Sequence, residues 1–171
     1  AAIRGMNLFF SERLECHHCH GGFNFTQSTS HEQQLIDRRP FHNTGLYYVE
    51  TSKGEFGYPN KDIGLAEIST LAIDNGRFRA PTLRNISHSA PYMHDGSVTT
   101  LDEVIDIYAA GGRNIDGGKY KGDGRKNPIK SQFIKGFTLT AEEKNDLLAF
   151  LDTLTDETFL TSPALGFTAE K

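Results

Sequence analysis

Apolar positions gather in three helical patterns along the chain, separated by long polar stretches. Near the start, Ile3, Met6, Phe10 and Leu14 recur at near-helical spacing. They predict an amphipathic helix over 2–15, running directly into CHHCH at 16–20, with Met6 in the core. The chain reads as beginning at or inside that helix, because no N-cap residue precedes it. Leu101, Val104, Ile105 and Tyr108 form one face of a second helix over 100–110, opened by a capping box at Thr100 and Glu103 and ended by Gly111-Gly112. Leu147, Leu151 and Leu154, with Leu148 beside them, mark a third helix that starts at Thr140 and Glu143 and ends near Asp156.

Between these patterns the periodicity is lost. Residues 21–81 are rich in Gly, Asn, Ser and Thr, with aromatics spaced through them, and DIGLAEIST (62–70) is the one short helix predicted there. Long structureless stretches are uncommon in compact domains unless they serve a function, and wrapping a large apolar non-protein group is one such function. Residues 113–131 are glycine- and lysine-rich and predict an exposed loop, and the tail after Ser162 is expected to be less ordered. With no internal repeat, residues 1–171 read as a single mostly α domain of a few helices joined by long loops.

Composition narrows the functional classes. A formal net charge of -4, with lysines and arginines scattered among acids, gives no basic stripe for nucleic acid. No apolar run approaches the length of a membrane span, and AAIRGMNLFF lacks the order of a signal peptide. At 37 % hydrophobic residues the chain can build only a modest core for its length.

The chemistry is concentrated in CHHCH. The chain has 2 cysteines, and both lie in these five residues. C-x-x-C-H is the attachment signature of c-type haem: two thiols on one turn reach the two vinyl groups, and the next histidine is held beneath the iron. Cys16, Cys19 and His20 take those roles, so the mostly α chain reads as a cytochrome c-like helical domain whose long loops wrap one covalently attached haem. A zinc site needs a second ligand pair at regular spacing, and His31 and His42 are too far apart in sequence to supply one. A thioredoxin-like pair needs a βαβ context that is missing, and a disulfide from 16 to 19 closes a trivial loop. His17 and His18 are expected to face solvent at the haem edge. For the sixth iron position, sequence physics ranks Met93, in the turn-like APYMHDGS, ahead of His94 and Tyr108.

Several stretches together resemble one family: GMNLFF before CHHCHGG, FHNTG at 41–45, FRAPTLRNISHSAPYMHDGSVTTLDEVIDIY at 78–108 and LTAEEKNDLLAFLDTLTD at 139–156. The chain is similar to the C-terminal haem domain of bacterial dihaem cytochrome c peroxidases and of the related enzyme that matures methylamine dehydrogenase. The resemblance implies a two-domain periplasmic protein with one haem c per domain. An N-terminal haem reduces hydrogen peroxide, and the C-terminal haem takes electrons from a small donor cytochrome or copper protein. With a single C-x-x-C-H here, the peroxidatic half is expected to be absent and no catalytic residue is assigned. The family's second axial ligand falls fourteen residues past the histidine of PY-x-H-x-G, which is Tyr108 counted from His94. Typical peroxidases carry methionine there and the methylamine-dehydrogenase-maturing enzyme tyrosine, so the resemblance points to His20/Tyr108 ligation, with Met93 as competitor.

Further expectations follow from the same resemblance. A calcium ion between the domains takes backbone carbonyls of Ser89 and Pro91. Arg77, Arg79 and Arg84 pair with haem propionates or form surface salt bridges, and His94 hydrogen-bonds near the haem or caps its turn. Two other functions compete with the peroxidase domain: a free-standing monohaem electron carrier, and a tyrosine-ligated relative that oxidises a protein or organic substrate.

Overall fold

The computed structural model describes residues 1–30, 32, 40–50, 56–59 and 61–164. His31 and the end of the tail lie outside the described residues. Helix α1 (Ala2–Phe9) lies along α4 (Ala141–Asp152). Gly5 makes this contact possible, because a methyl group there would overlap the Asp146 carbonyl and the Phe150 Cβ. Arg4 forks onto Asp146 from the same face, with Nε–Oδ2 at 2.6 Å and Nη2–Oδ1 at 2.7 Å. The buried side of α1 is therefore Gly5 and Phe9, and Ile3, Met6 and Phe10 are exposed at 74 %, 40 % and 46 %. Met6 is thus not a core residue: the helix is turned so that its narrow glycine side meets α4.

Nor does the first helix run into CHHCH. The Ser11 hydroxyl donates to the Leu8 carbonyl and accepts from the Leu14 amide, drawing the backbone into a turn. Glu15 then takes a left-handed conformation (φ 56°), and Cys16–His18 follow as a short 3-10 turn. Leu14 is still buried, beyond the helix end.

The other predicted helices form. The helix α2 (Ala66–Ser69) lies within the stretch 62–70. Thr100 caps α3 (Leu101–Ala109) by accepting from the Glu103 amide, while the Glu103 carboxylate takes the Thr99 amide at 3.2 Å. Gly111 and Gly112 end it at positive φ, with the Gly112 amide donating to the Ile107 carbonyl at 2.9 Å. The full reciprocal capping box of Thr140 and Glu143 opens α4. Past it, α5 (Glu157–Thr161) is capped by Asp156. Phe9, Leu14, Ile105, Leu147, Phe150, Leu151 and Leu154 form the first core, with Cys16 and Phe25 packed on its edge.

The expected mostly α class needs correction. The structure is 33 % helix and 11 % strand, with two antiparallel sheets, and is mixed α and β. The strand β1 (Phe41–His42) pairs with β4 (Phe78–Arg79), Phe41 facing Arg79 and His42 facing Phe78. In the second sheet, β2 (Val49–Glu50) lies between β3 (Phe56–Gly57) and β6 (Gly122–Asp123), and β5 (Asn114–Ile115) pairs with β6 on the edge. Residues 114–123 of the 113–131 stretch are accordingly a hairpin docked on β2, with its tip exposed as expected. A side chain at Gly122 would collide with the Tyr48 carbonyl, so glycine there allows the docking. Each strand is two residues long, too short for alternation to show in the sequence. The sheet covers a second core of Leu46, Tyr47, Val49 and Tyr58, with Met93, Ile107 and Tyr120 against it.

Candidate haem site

The site is built where the turn after α1, the 80–84 segment and α3 converge. Cys16 and Cys19 are both free thiols. Burial pushes Cys16 up to about 12 and Cys19 up to about 11, opposite to the depressed values of a redox-active pair. Past the motif, the chain is stapled to the 80–84 segment. Thr26 Oγ1 donates to the Ala80 carbonyl at 2.6 Å, Ser28 Oγ to the same oxygen at 2.9 Å, and Thr82 Oγ1 to the Asn24 carbonyl at 2.5 Å.

Those staples bring Pro81 to His20. The His20 Nδ1 lies 3.1 Å from the Pro81 carbonyl and 3.3 Å from the Phe25 carbonyl. Carbonyl oxygens only accept, so Nδ1 carries the proton and the Nε2 lone pair is left for a metal. Burial lowers the His20 pKa against the pull of those two carbonyls, which favours the neutral, ligating form.

Tyr108, on α3, lies near the thiols. Burial raises its phenol pKa, and the nearby Cys19 and Cys16 sulfurs push the same way. Met93 sits elsewhere, with a left-handed backbone (φ 68°) and a place against the second core. His94 is also apart: its ring stacks on Phe78 with centroids 3.8 Å apart, and Nε2 meets the Tyr58 hydroxyl at 3.2 Å. Burial lowers its pKa despite the nearby Asp95.

The arginines divide. Arg84 donates to the Phe23 carbonyl at 2.6 Å and lies over the Phe23 and Phe25 rings, while Arg79 lies over Phe41. Arg77 pairs with Asp74 at 3.1 Å and lines a cavity of about 280 Å³ shared with His42, Lys130 and Phe133. Ser89 and Pro91 are exposed.

His42 is the residue that sequence reasoning missed. Its Nε2 is buried with no hydrogen-bond partner among the described residues, and it lies close enough to His20 to lower that residue's pKa. Burial and the Arg77 charge lower its own. Phe133, on the same cavity, stacks on His18 at 4.7 Å. The residues fit a c-type haem: paired free thiols, an imidazole with its tautomer fixed, a buried phenol near the sulfurs, and an orphaned buried nitrogen beside a basic cavity where an acidic substituent can pair. His17 and His18 are half-buried and meet Glu12, so the expectation that they simply face solvent is too plain.

Fold and site thus define a domain with the parts of a c-type cytochrome. No family model matches the chain. It is 34 % identical over 160 residues to the cytochrome-c peroxidase IdrP1 of Pseudomonas sp. (strain SCT), covering 88 % of this chain and 39 % of that protein. It is 30 % identical over 158 residues to the methylamine utilization protein MauG of Methylorubrum extorquens, covering 91 % of this chain and 35 % of that protein. A solved MauG-like protein associated with microbial copper homeostasis superposes with a TM-score of 0.89 at 50 % identity, over 96 % of this chain and 50 % of its own. The diheme peroxidase BthA from Burkholderia thailandensis shares the fold, with a TM-score of 0.59 at 21 % identity over 93 % of this chain and 43 % of its own. The chain belongs to the dihaem cytochrome c peroxidase/MauG family. It spans less than half the length of the curated relatives it matches. No helix among the described residues is long and apolar enough to cross a membrane.

Proposed function

We propose that this chain is the electron-transferring haem c domain of a dihaem oxidoreductase that reduces hydrogen peroxide with electrons from a small cytochrome or copper protein. The observation that supports the reading is His20, its Nδ1 turned to the Pro81 and Phe25 carbonyls, so that Nε2 is left for a metal beside the two free thiols. When bound, the haem supplies one-electron redox chemistry. Cys16 and Cys19 would anchor it, His20 Nε2 would bind the iron with its ring held by the Pro81 and Phe25 carbonyls, and Tyr108 would be the second ligand. Burial holds the Tyr108 phenol protonated, so phenolate ligation needs a positive centre beside it to release the proton. His42 and Arg77 are the partners for propionates. A calcium ion on the Ser89 and Pro91 carbonyls, a second haem domain and a periplasmic location belong to the same proposal.

The test is peroxide consumption by the full-length haem-loaded protein with a reduced donor cytochrome. Donor oxidation coupled to peroxide loss supports the reading, and peroxide loss without donor oxidation contradicts it. Tyr108 favours a second reading, oxidation of a protein or organic substrate, for which slow turnover on peroxide is the expected mark.

A further inference from the structure

Apart from the haem-binding residues, one group of described side chains brings its ligand atoms together. Glu12, His17 and His18 each offer one atom, all within 4.8 Å of one another. The His17 Nε2 lies 3.4 Å from Glu12 Oε1, and the His18 Nε2 lies 3.2 Å from Glu12 Oε2. A four-coordinate ion with bonds of about 2.0–2.1 Å holds its ligand atoms roughly 3.3 Å apart. The two nitrogens meet different oxygens of one carboxylate at separations that a coordinated set also has, and one atom from each residue lies within reach of a common ion. The two rings lie side by side, with centroids 4.2 Å apart and 33° between their planes.

The set is also held in place. The His18 ring lies nearly flat on Phe133, with 16° between the planes, and the Gln27 amide donates to the His18 carbonyl. The His17 ring packs against Phe10 at 6.0 Å. Its Nδ1 is buried without a hydrogen-bond partner among the described residues, so its polar contact is made through Nε2. Both rings occupy the two positions between Cys16 and Cys19, and neither is among the residues assigned to the haem. Held rings lose little freedom on binding, which favours affinity.

We propose that Glu12, His17 and His18 form a binding site for a divalent first-row cation on the outer side of the haem-attachment turn, with Cu(II) preferred. Two imidazoles and a carboxylate suit a borderline cation and leave positions for water, and for such a set Cu(II) binds above Zn(II). A bound ion ties the turn that follows α1 to the attachment motif. This site is independent of the electron donor and of the sixth haem ligand.

The test is a titration of the chelator-treated, haem-loaded protein with Cu(II), read by electron paramagnetic resonance and by metal content after dialysis. The expected result is one Cu(II) per chain with coupling to two imidazole nitrogens, and weaker competition from Zn(II). His18→Gln removes one nitrogen coupling and weakens binding about tenfold or more. Glu12→Gln, outside the attachment motif, weakens it similarly while the Soret band serves as the control for folding and haem attachment. Copper that fails to bind at equimolar concentration overturns the proposal. So does copper that binds with unchanged affinity and couplings in both variants, because it is then held by other histidines.

Discussion

At the scale of single residues, the account rests most on Tyr108. The sequence made CHHCH legible because three roles fit in five residues, but left the sixth ligand open between Met93 and Tyr108. Periodicity placed Tyr108 on the apolar face of α3, where a tyrosine is usually core. What separates the candidates is three-dimensional: Tyr108 lies near enough to the two sulfurs for their charge to raise its pKa, whereas Met93 packs on the second core. Tyr108→Phe in the haem-loaded protein is therefore predicted to change the oxidised optical spectrum, and Met93→Leu to leave it unaltered. The reverse pattern contradicts Tyr108 as ligand. His42 was invisible for a different reason. A lone histidine in FHNTG has no spacing partner, and its position comes from the pairing of β1 with β4. Its unpaired Nε2 costs stability in the haem-free chain, so His42→Leu is predicted to leave that form as stable or more so. The haem-loaded form should lose stability, and thermal melts of both forms check the pair of outcomes.

At the scale of elements, the capped helices were readable and the strands were not. Thr140 with Glu143 announces α4 because capping is local chemistry between residues three apart. Strands of two residues carry no such signal, since each exists through a distant partner such as Gly122 against Val49. The face of α1 was misread because the helix packs through its smallest residue. Gly5→Ala is predicted to force α1 from α4 and destabilise the chain by about 1–3 kcal/mol, measured by denaturant unfolding. Asp146 gives a pH-dependent check. The Arg4 fork holds its carboxyl below the usual value, so the native state binds fewer protons than the unfolded one as pH falls. The stability it adds is present above the ordinary carboxylate value of 3.8 and is lost as pH drops through the lowered pKa. Asp146→Asn should therefore lower Tm at pH 7, and the gap to the unaltered protein should close in strong acid.

At the scale of the whole molecule, two modest cores and long connecting segments surround the attachment motif. The sequence showed that the loops had something to organise around, but not how they do it. The staples among Asn24, Thr26, Ser28, Ala80 and Thr82 join segments more than fifty residues apart, and no local pattern announces them. They deliver the Pro81 carbonyl that fixes the His20 ring. A group bound by the native state alone adds its binding free energy to folding, so the haem-loaded chain is predicted to melt well above the haem-free chain. Equal melting temperatures contradict a haem held inside the fold.

The most direct test of the central claim is an optical spectrum of the protein produced together with c-type haem maturation machinery, oxidised and then reduced with dithionite, before and after denaturation. The account predicts a c-type spectrum on reduction and a Soret band that stays with the denatured polypeptide, since Cys16 and Cys19 hold the haem covalently. No Soret absorption, or a haem released on denaturation, contradicts it.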